Sequence, residues 1–96
     1  MTMGYQVKDG GRSRLAGVIS VDGSCRPQIL DDDDASAYAG VVRALGERIG
    51  TAAVLNTSFN VHGEPLVCTP AEAVDVYLRS GADALVLGPY LTERDR

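Results

Sequence analysis

Leu55-Asn56-Thr57-Ser58-Phe59-Asn60-Val61-His62-Gly63-Glu64-Pro65-Leu66 sets two amides, two hydroxyls, an imidazole and a glycine between two apolar runs. The run that leads in, Ala52-Ala53-Val54-Leu55, predicts a short buried strand, and Leu66-Val67-Cys68 predicts another. Polar side chains at a strand end can turn toward a ligand together with exposed backbone N–H groups, and a glycine lets the backbone come close. The chemistry suggested is oxyanion or phosphate binding without a Walker-type lysine. Composition leaves one alternative open, a polar strand-to-helix loop whose side chains tie up its own backbone.

Beyond this stretch, Thr69-Pro70-Ala71-Glu72 is a helix start, with a hydroxyl cap, Pro at the first helical position and Glu three residues past the cap. Ala73, Val74, Tyr77 and Leu78 form the expected buried stripe, Ser80-Gly81 ends the helix, and Ala84-Leu85-Val86-Leu87 reads as a strand. Gly88-Pro89 turns the chain into the tail, where Glu93-Arg94-Asp95-Arg96 is expected to fray. Ahead of the polar stretch, Ala35 to Ile49 reads as a helix through Tyr38, Val41, Val42, Leu45 and Ile49, stopped by Gly50. The four carboxylates Asp31 to Asp34 lack EF-hand spacing and a turn glycine, so they read as a solvated linker favouring the helix N-terminus and not as a metal site.

Further upstream, Asp22-Gly23 signals a hairpin between strands Leu15 to Val21 and Arg26 to Leu30. Arg26 is then a solvated charge unless a ligand phosphate comes within reach of its guanidinium. Lys8 to Arg14 reads as a mobile turn or hairpin loop, and Met1 to Val7 as a strand whose alternation begins at the first residue, the pattern of a piece of something longer. The order, three strands, helix, strand, loop, helix, strand, predicts an α+β fold with a mixed sheet and two main helices.

With 96 residues the chain has room for one domain, residues 1–96, burying roughly two-thirds of its unfolded surface. Hydrophobic residues at 45% and charged ones at 23% place it among globular chains. No apolar run reaches membrane-spanning length and Met1-Thr2-Met3-Gly4-Tyr5 lacks signal-peptide features, so no membrane association and a cytoplasmic setting are expected. A net charge of −4 and a single lysine, Lys8, argue against a nucleic-acid surface. Cys25 and Cys68 have no metal-type spacing and read as free, buried or half-buried thiols.

The run Leu55 to Pro70, followed by Ala84-Leu85-Val86-Leu87-Gly88, closely resembles the C-terminal end of the O-carbamoyltransferases, a family of nodulation proteins and antibiotic-decorating enzymes of natural product biosynthesis. Val21-Asp22-Gly23, Arg26 and Gln28 extend the resemblance over nearly the whole chain. It implies the second half of a YrdC-like lobe, which makes carbamoyladenylate from ATP and carbamoyl phosphate, with Mg²⁺ accompanying ATP. A separate lobe then passes the carbamoyl group to a substrate hydroxyl. Ser58 and Asn60 match the Ser-x-Asn motif of YrdC and Sua5 proteins, with Gly63, Glu64 and Pro65 in register behind it. Arg26 matches a phosphate-contacting arginine. The resemblance implies catalytic roles for Ser58 and Asn60. It implies nucleotide or phosphate contacts for Arg26, Asn56, Thr57, Ser58, Asn60, His62 and Gly63, and no metal ligand in this chain.

Departures from the family pattern are equally informative. His62 stands where many members carry arginine, and an imidazole that titrates near neutral pH replaces only part of an arginine's phosphate role. The lobe's earlier Lys and Arg side chains and the other lobe's metal ligands lie outside this sequence. The chain is therefore expected to be a fragment or small subunit of the enzyme, inactive alone and partnered by the remaining N-terminal part or large subunit. Its homo-oligomer state is left open. The alternative is a non-catalytic partner-binding or regulatory module that kept the fold. A threonylcarbamoyladenylate synthase piece fits less well, because the match runs through the last helix and strand.

Overall fold

The computed structural model describes residues 2–95, so Met1 of the first expected strand and Arg96 of the expected tail lie outside it. The chain divides into two compact units, one running up to Asn56 and the other starting at Thr57. The α+β class stands, and no helix among the described residues is long and apolar enough to cross a membrane. The described strands form two antiparallel ribbons and not one mixed sheet.

In the first unit, β1 (Tyr5–Gln6) pairs antiparallel with β2 (Ser24–Cys25), Tyr5 opposite Cys25 and Gln6 opposite Ser24. The Asp22-Gly23 signal does make a turn, but one that closes between Ser20 and Ser24: the Ser20 N–H donates to the Ser24 carbonyl at 2.8 Å and the Gly23 N–H to the Ser20 carbonyl at 2.9 Å. Asp22 Oδ1 accepts from the Ser24 hydroxyl at 2.7 Å and the Ser24 N–H at 3.0 Å, and these bonds hold its carboxyl below the usual range. Lys8 to Arg14 is not all loop, since α1 (Asp9–Arg12) forms there with an Asp9–Arg12 ion pair at 3.2 Å. Instead of a strand over Leu15 to Val21, a 3₁₀ turn spans Ala16–Val18. Arg26 to Leu30 and Ala52 to Leu55 carry no strand pairing. An apolar run signals a need for burial, but a strand exists only where a neighbour takes up its backbone groups.

The long helix of this unit, α2 (Ala37–Ile49), starts two residues later than its apolar pattern suggests. Ser36 fixes that start, because its hydroxyl accepts the Ala39 N–H at 3.1 Å. Asp34 Oδ1 in turn accepts the Ser36 N–H at 2.8 Å, and its carboxyl is lowered by that bond. Arg43 donates to the carbonyls of Asp32, at 3.2 Å, and of Asp34, lashing the acidic linker to the helix. Of the expected stripe only Val42 is buried, beside Ala39, while Tyr38, Val41 and Ile49 remain exposed. Gly50 caps the helix in the left-handed conformation with its N–H on the Gly46 carbonyl at 2.8 Å. The returning chain then lies directly on the helix: a Cβ at Gly46 would stand 2.7 Å from the Cβ of Ala52.

In the second unit, α3 (Pro70–Ser80) follows the polar stretch and β3 (Ala84–Leu87) pairs antiparallel with β4 (Tyr90–Glu93). The capping box at the start of α3 is complete: Thr69 Oγ1 accepts the Glu72 N–H at 3.2 Å, and Glu72 Oε2 accepts the N–H groups of Cys68 at 2.8 Å and Thr69 at 3.0 Å. Backbone N–H bonds from Cys68 and Thr69 hold the Glu72 carboxyl below its ordinary value. Ala73, Val76, Tyr77 and Leu85 are the buried residues of this unit, whereas Val74 and Leu78 of the expected stripe are exposed. The tail does not begin to fray at Glu93. That residue closes β4 opposite Ala84, and the Arg94 N–H donates to the Asp83 carbonyl at 2.9 Å. The Arg94 guanidinium covers the last turn of α3, donating to the carbonyls of Tyr77 and Leu78, the latter at 2.9 Å, and lying 5.1 Å from the Tyr77 ring centre.

Candidate functional site

The polar stretch in the second unit is a loop closed at two levels. Its outer closure is the Val67 N–H on the Phe59 carbonyl at 3.1 Å, a single bond from the middle of the expected strand Leu66 to Cys68, which does not form. Inside it, the Glu64 N–H donates to the Val61 carbonyl at 3.0 Å across Gly63, whose φ of 84° is a conformation that side chains disfavour. Asn60 sits at the neck. Its Nδ2 donates to the Val61 carbonyl at 3.1 Å and to the Glu64 carbonyl at 3.0 Å, so both amide hydrogens are spent within the loop. The two carbonyls fix the amide orientation and leave Oδ1 buried without a partner.

The hydroxyls differ from Asn60. Thr57 and Ser58 are exposed and make no side-chain hydrogen bond among the described residues, and the same holds for His62 at the loop tip. Within this unit His62 stands inside the closed loop, and the free hydroxyls of Thr57 and Ser58 stand directly before its Phe59–Val67 closure.

A second feature fixes the loop from below. Arg79, in the last turn of α3, donates from Nη1 and Nη2 to the two carboxylate oxygens of Glu64, each at 2.9 Å, and from Nε to Asp75 Oδ2 at 2.9 Å. These bonds raise the guanidinium further above its usual range, Glu64 contributing most and Asp75 next, and the Arg79 bonds lower the Glu64 carboxyl. Sequence reading did not single out Arg79. Its i, i+4 spacing from Asp75 is a readable helix pair, but its bond to Glu64 across 15 residues has no local signature.

Arg26 and Asn56 belong to the first unit, where both line a cleft of about 730 Å³. Gln28 and Arg43 add polar groups there, and Leu15 and Ile29 supply apolar wall. That volume lies in the range of small-molecule sites. Arg26 makes no hydrogen bond or ion pair among the described residues, in contrast to Arg43, whose guanidinium is engaged by the acidic linker. The structure therefore gathers Arg26 and Asn56 in one unit and Thr57, Ser58, Asn60, His62 and Gly63 in the other.

Comparison with known proteins gives this geometry a family. The chain matches the family described as "Carbamoyltransferase C-terminus" over residues 1–94. It is 43% identical over 94 residues to the uncharacterized protein MJ1051 of Methanocaldococcus jannaschii, covering 98% of this chain and 18% of that protein. It is 39% identical over 88 residues to nodulation protein NolNO of Sinorhizobium fredii, covering 92% of this chain and 13% of that protein. Against nodulation protein NolO of Bradyrhizobium diazoefficiens the identity is 32% over 94 residues, covering 98% of this chain and 17% of that protein. The chain thus spans less than a fifth of the length of these relatives, and by the family match along almost its entire length it belongs to the carbamoyltransferase C-terminus family.

Proposed function

We propose that this chain contributes the ATP and carbamoyl phosphate binding end of an O-carbamoyltransferase, within a YrdC-like lobe whose other residues lie in the remaining N-terminal part or large subunit. Membership of the carbamoyltransferase C-terminus family is the observation that carries this reading. The free hydroxyls of Thr57 and Ser58 and the free guanidinium of Arg26 support it, because anionic substrates need donors that the fold has not already used.

In this reaction water releases phosphate from carbamoyl phosphate, a carbamate oxygen bonds to the α-phosphorus of ATP, and pyrophosphate leaves. The substrate hydroxyl oxygen then bonds to the carbamoyl carbon, its proton is released, and AMP leaves. The protein's task is to hold the anions together and to meet the charge that develops on phosphorus and carbamoyl oxygens. Ser58 donates from its hydroxyl to a phosphate oxygen, with Thr57 beside it. Asn60 and Gly63 keep the backbone in the shape that presents them. Arg26 neutralises phosphate charge in the cleft that Asn56 also lines, and His62 adds a donor at the loop tip. Mg²⁺ enters with ATP.

The test is pyrophosphate release from ATP that depends on carbamoyl phosphate, measured for this chain alone and in assembly with the rest of the carbamoyltransferase. Turnover in the assembly only is expected. Loss of one hydrogen bond to a charged group in Ser58→Ala should weaken substrate binding roughly tenfold or more. Unchanged affinity in both Ser58→Ala and Arg26→Ala would remove these residues from substrate binding. Firm association without turnover would favour the other reading, a partner-binding module, which the exposed apolar side chains on both units also fit.

A further inference from the structure

Glu64 stands at the centre of two networks. Its backbone closes the loop, through its N–H to Val61 and its carbonyl to Asn60, and its carboxylate is gripped on both oxygens by Arg79. Asp75, one helical turn before Arg79, takes the Nε proton at 2.9 Å and so sets the plane of the guanidinium. The side chains of Glu64 and Arg79 are each 43% exposed, and ion pairs this open to water add little to stability. What a two-pronged, three-centre arrangement supplies is direction. It also covers a charge: without Arg79, Glu64 would present a bare carboxylate from a loop assigned to bind anions.

We propose that Arg79 is a positioning residue, acting through Glu64 to fix the loop that starts directly after Ser58 and to neutralise the carboxylate that this loop carries, so that ATP and carbamoyl phosphate are bound in register. This rests on the reading given under Proposed function. An ammonium cannot reproduce the fork, so Arg79→Lys is expected to remain impaired. Removing the bare carboxylate should relieve part of the defect, so Arg79→Ala combined with Glu64→Gln is expected to bind substrates better than Arg79→Ala alone.

The experiment measures KM and kcat for carbamoyl phosphate-dependent pyrophosphate release in the assembled enzyme, alongside hydrogen exchange over residues 57–67. Arg79→Ala is expected to raise both KM values about tenfold with a smaller change in kcat, and to speed exchange in the loop. A purely structural role would lower the melting temperature and leave KM where it was. Wild-type KM in Arg79→Ala, full recovery in Arg79→Lys, or unchanged loop exchange overturns the proposal. Absence of wild-type turnover overturns the functional reading itself, and the exchange measurement still decides whether Arg79 holds the loop.

Discussion

Asn60 shows how far a motif can be read from residue types. Its place two residues after Ser58 is visible in the sequence, and so is its suitability as a donor, but the structure spends both of its amide hydrogens on Val61 and Glu64. Ser58→Ala and Asn60→Ala should therefore differ. On the function proposed above, the first is expected to weaken substrate binding with loop exchange unchanged. The second should loosen both, a contrast that hydrogen exchange and titration with carbamoyl phosphate resolve. Glu64 and Glu72 give a pH dependence. Both carboxyls lie below the ordinary 4.5 in the folded chain, Glu64 through the Arg79 hydrogen bonds and Glu72 through backbone N–H groups. Their contribution is complete above that value and is lost as pH falls through the lower folded values. Acidification below about pH 4 should lower the exchange protection factors around α3, each taken against the intrinsic rate at that pH, with a flatter response in Glu64→Gln.

Elements were legible where caps were. Thr69, Pro70 and Glu72 define the start of α3 in the sequence as in the structure, and Gly50 and Gly81 define the ends of the two main helices. Thr69→Ala is expected to cost about 1 kcal/mol, read as a lower melting temperature. The short strands were not legible, because pairing decides them: Ser24–Cys25 is a strand only because Tyr5–Gln6 lies beside it, while Ala52 to Leu55, far better in composition, finds no ladder. The last strand escaped notice for a related reason. Tyr90–Glu93 reads as tail until Ala84–Leu87 is laid along it and Arg94 is anchored on α3. Arg94→Ala should remove about 1 kcal/mol of C-terminal support from α3, seen as faster exchange of its last turn and of β4.

For the molecule as a whole, the informative quantity is what each unit leaves uncovered. Val86 and Leu91 face each other across the β3–β4 pair at 66% and 64% exposure, and on α2 Val41 and Ile49 are open to a similar degree. Apolar side chains left open in this way are available to a covering surface, and the chain spans less than a fifth of its relatives' length. On the function proposed above, Val86→Thr combined with Leu91→Thr is expected to weaken assembly with the rest of the carbamoyltransferase, measurable by sedimentation. The sequence patterns for α2 and α3 predicted more burial than these units provide because periodicity reports which face is apolar and not what covers it. The contact between Gly46 and Ala52 carries a warning for anyone redesigning this chain. Glycine inside a helix normally costs about 1 kcal/mol against alanine, so position 46 looks like an easy improvement. Here the missing methyl is the space in which Ala52 rests, and filling it would push the segment leading to Asn56 away from α2, trading a better helix for a misplaced cleft wall.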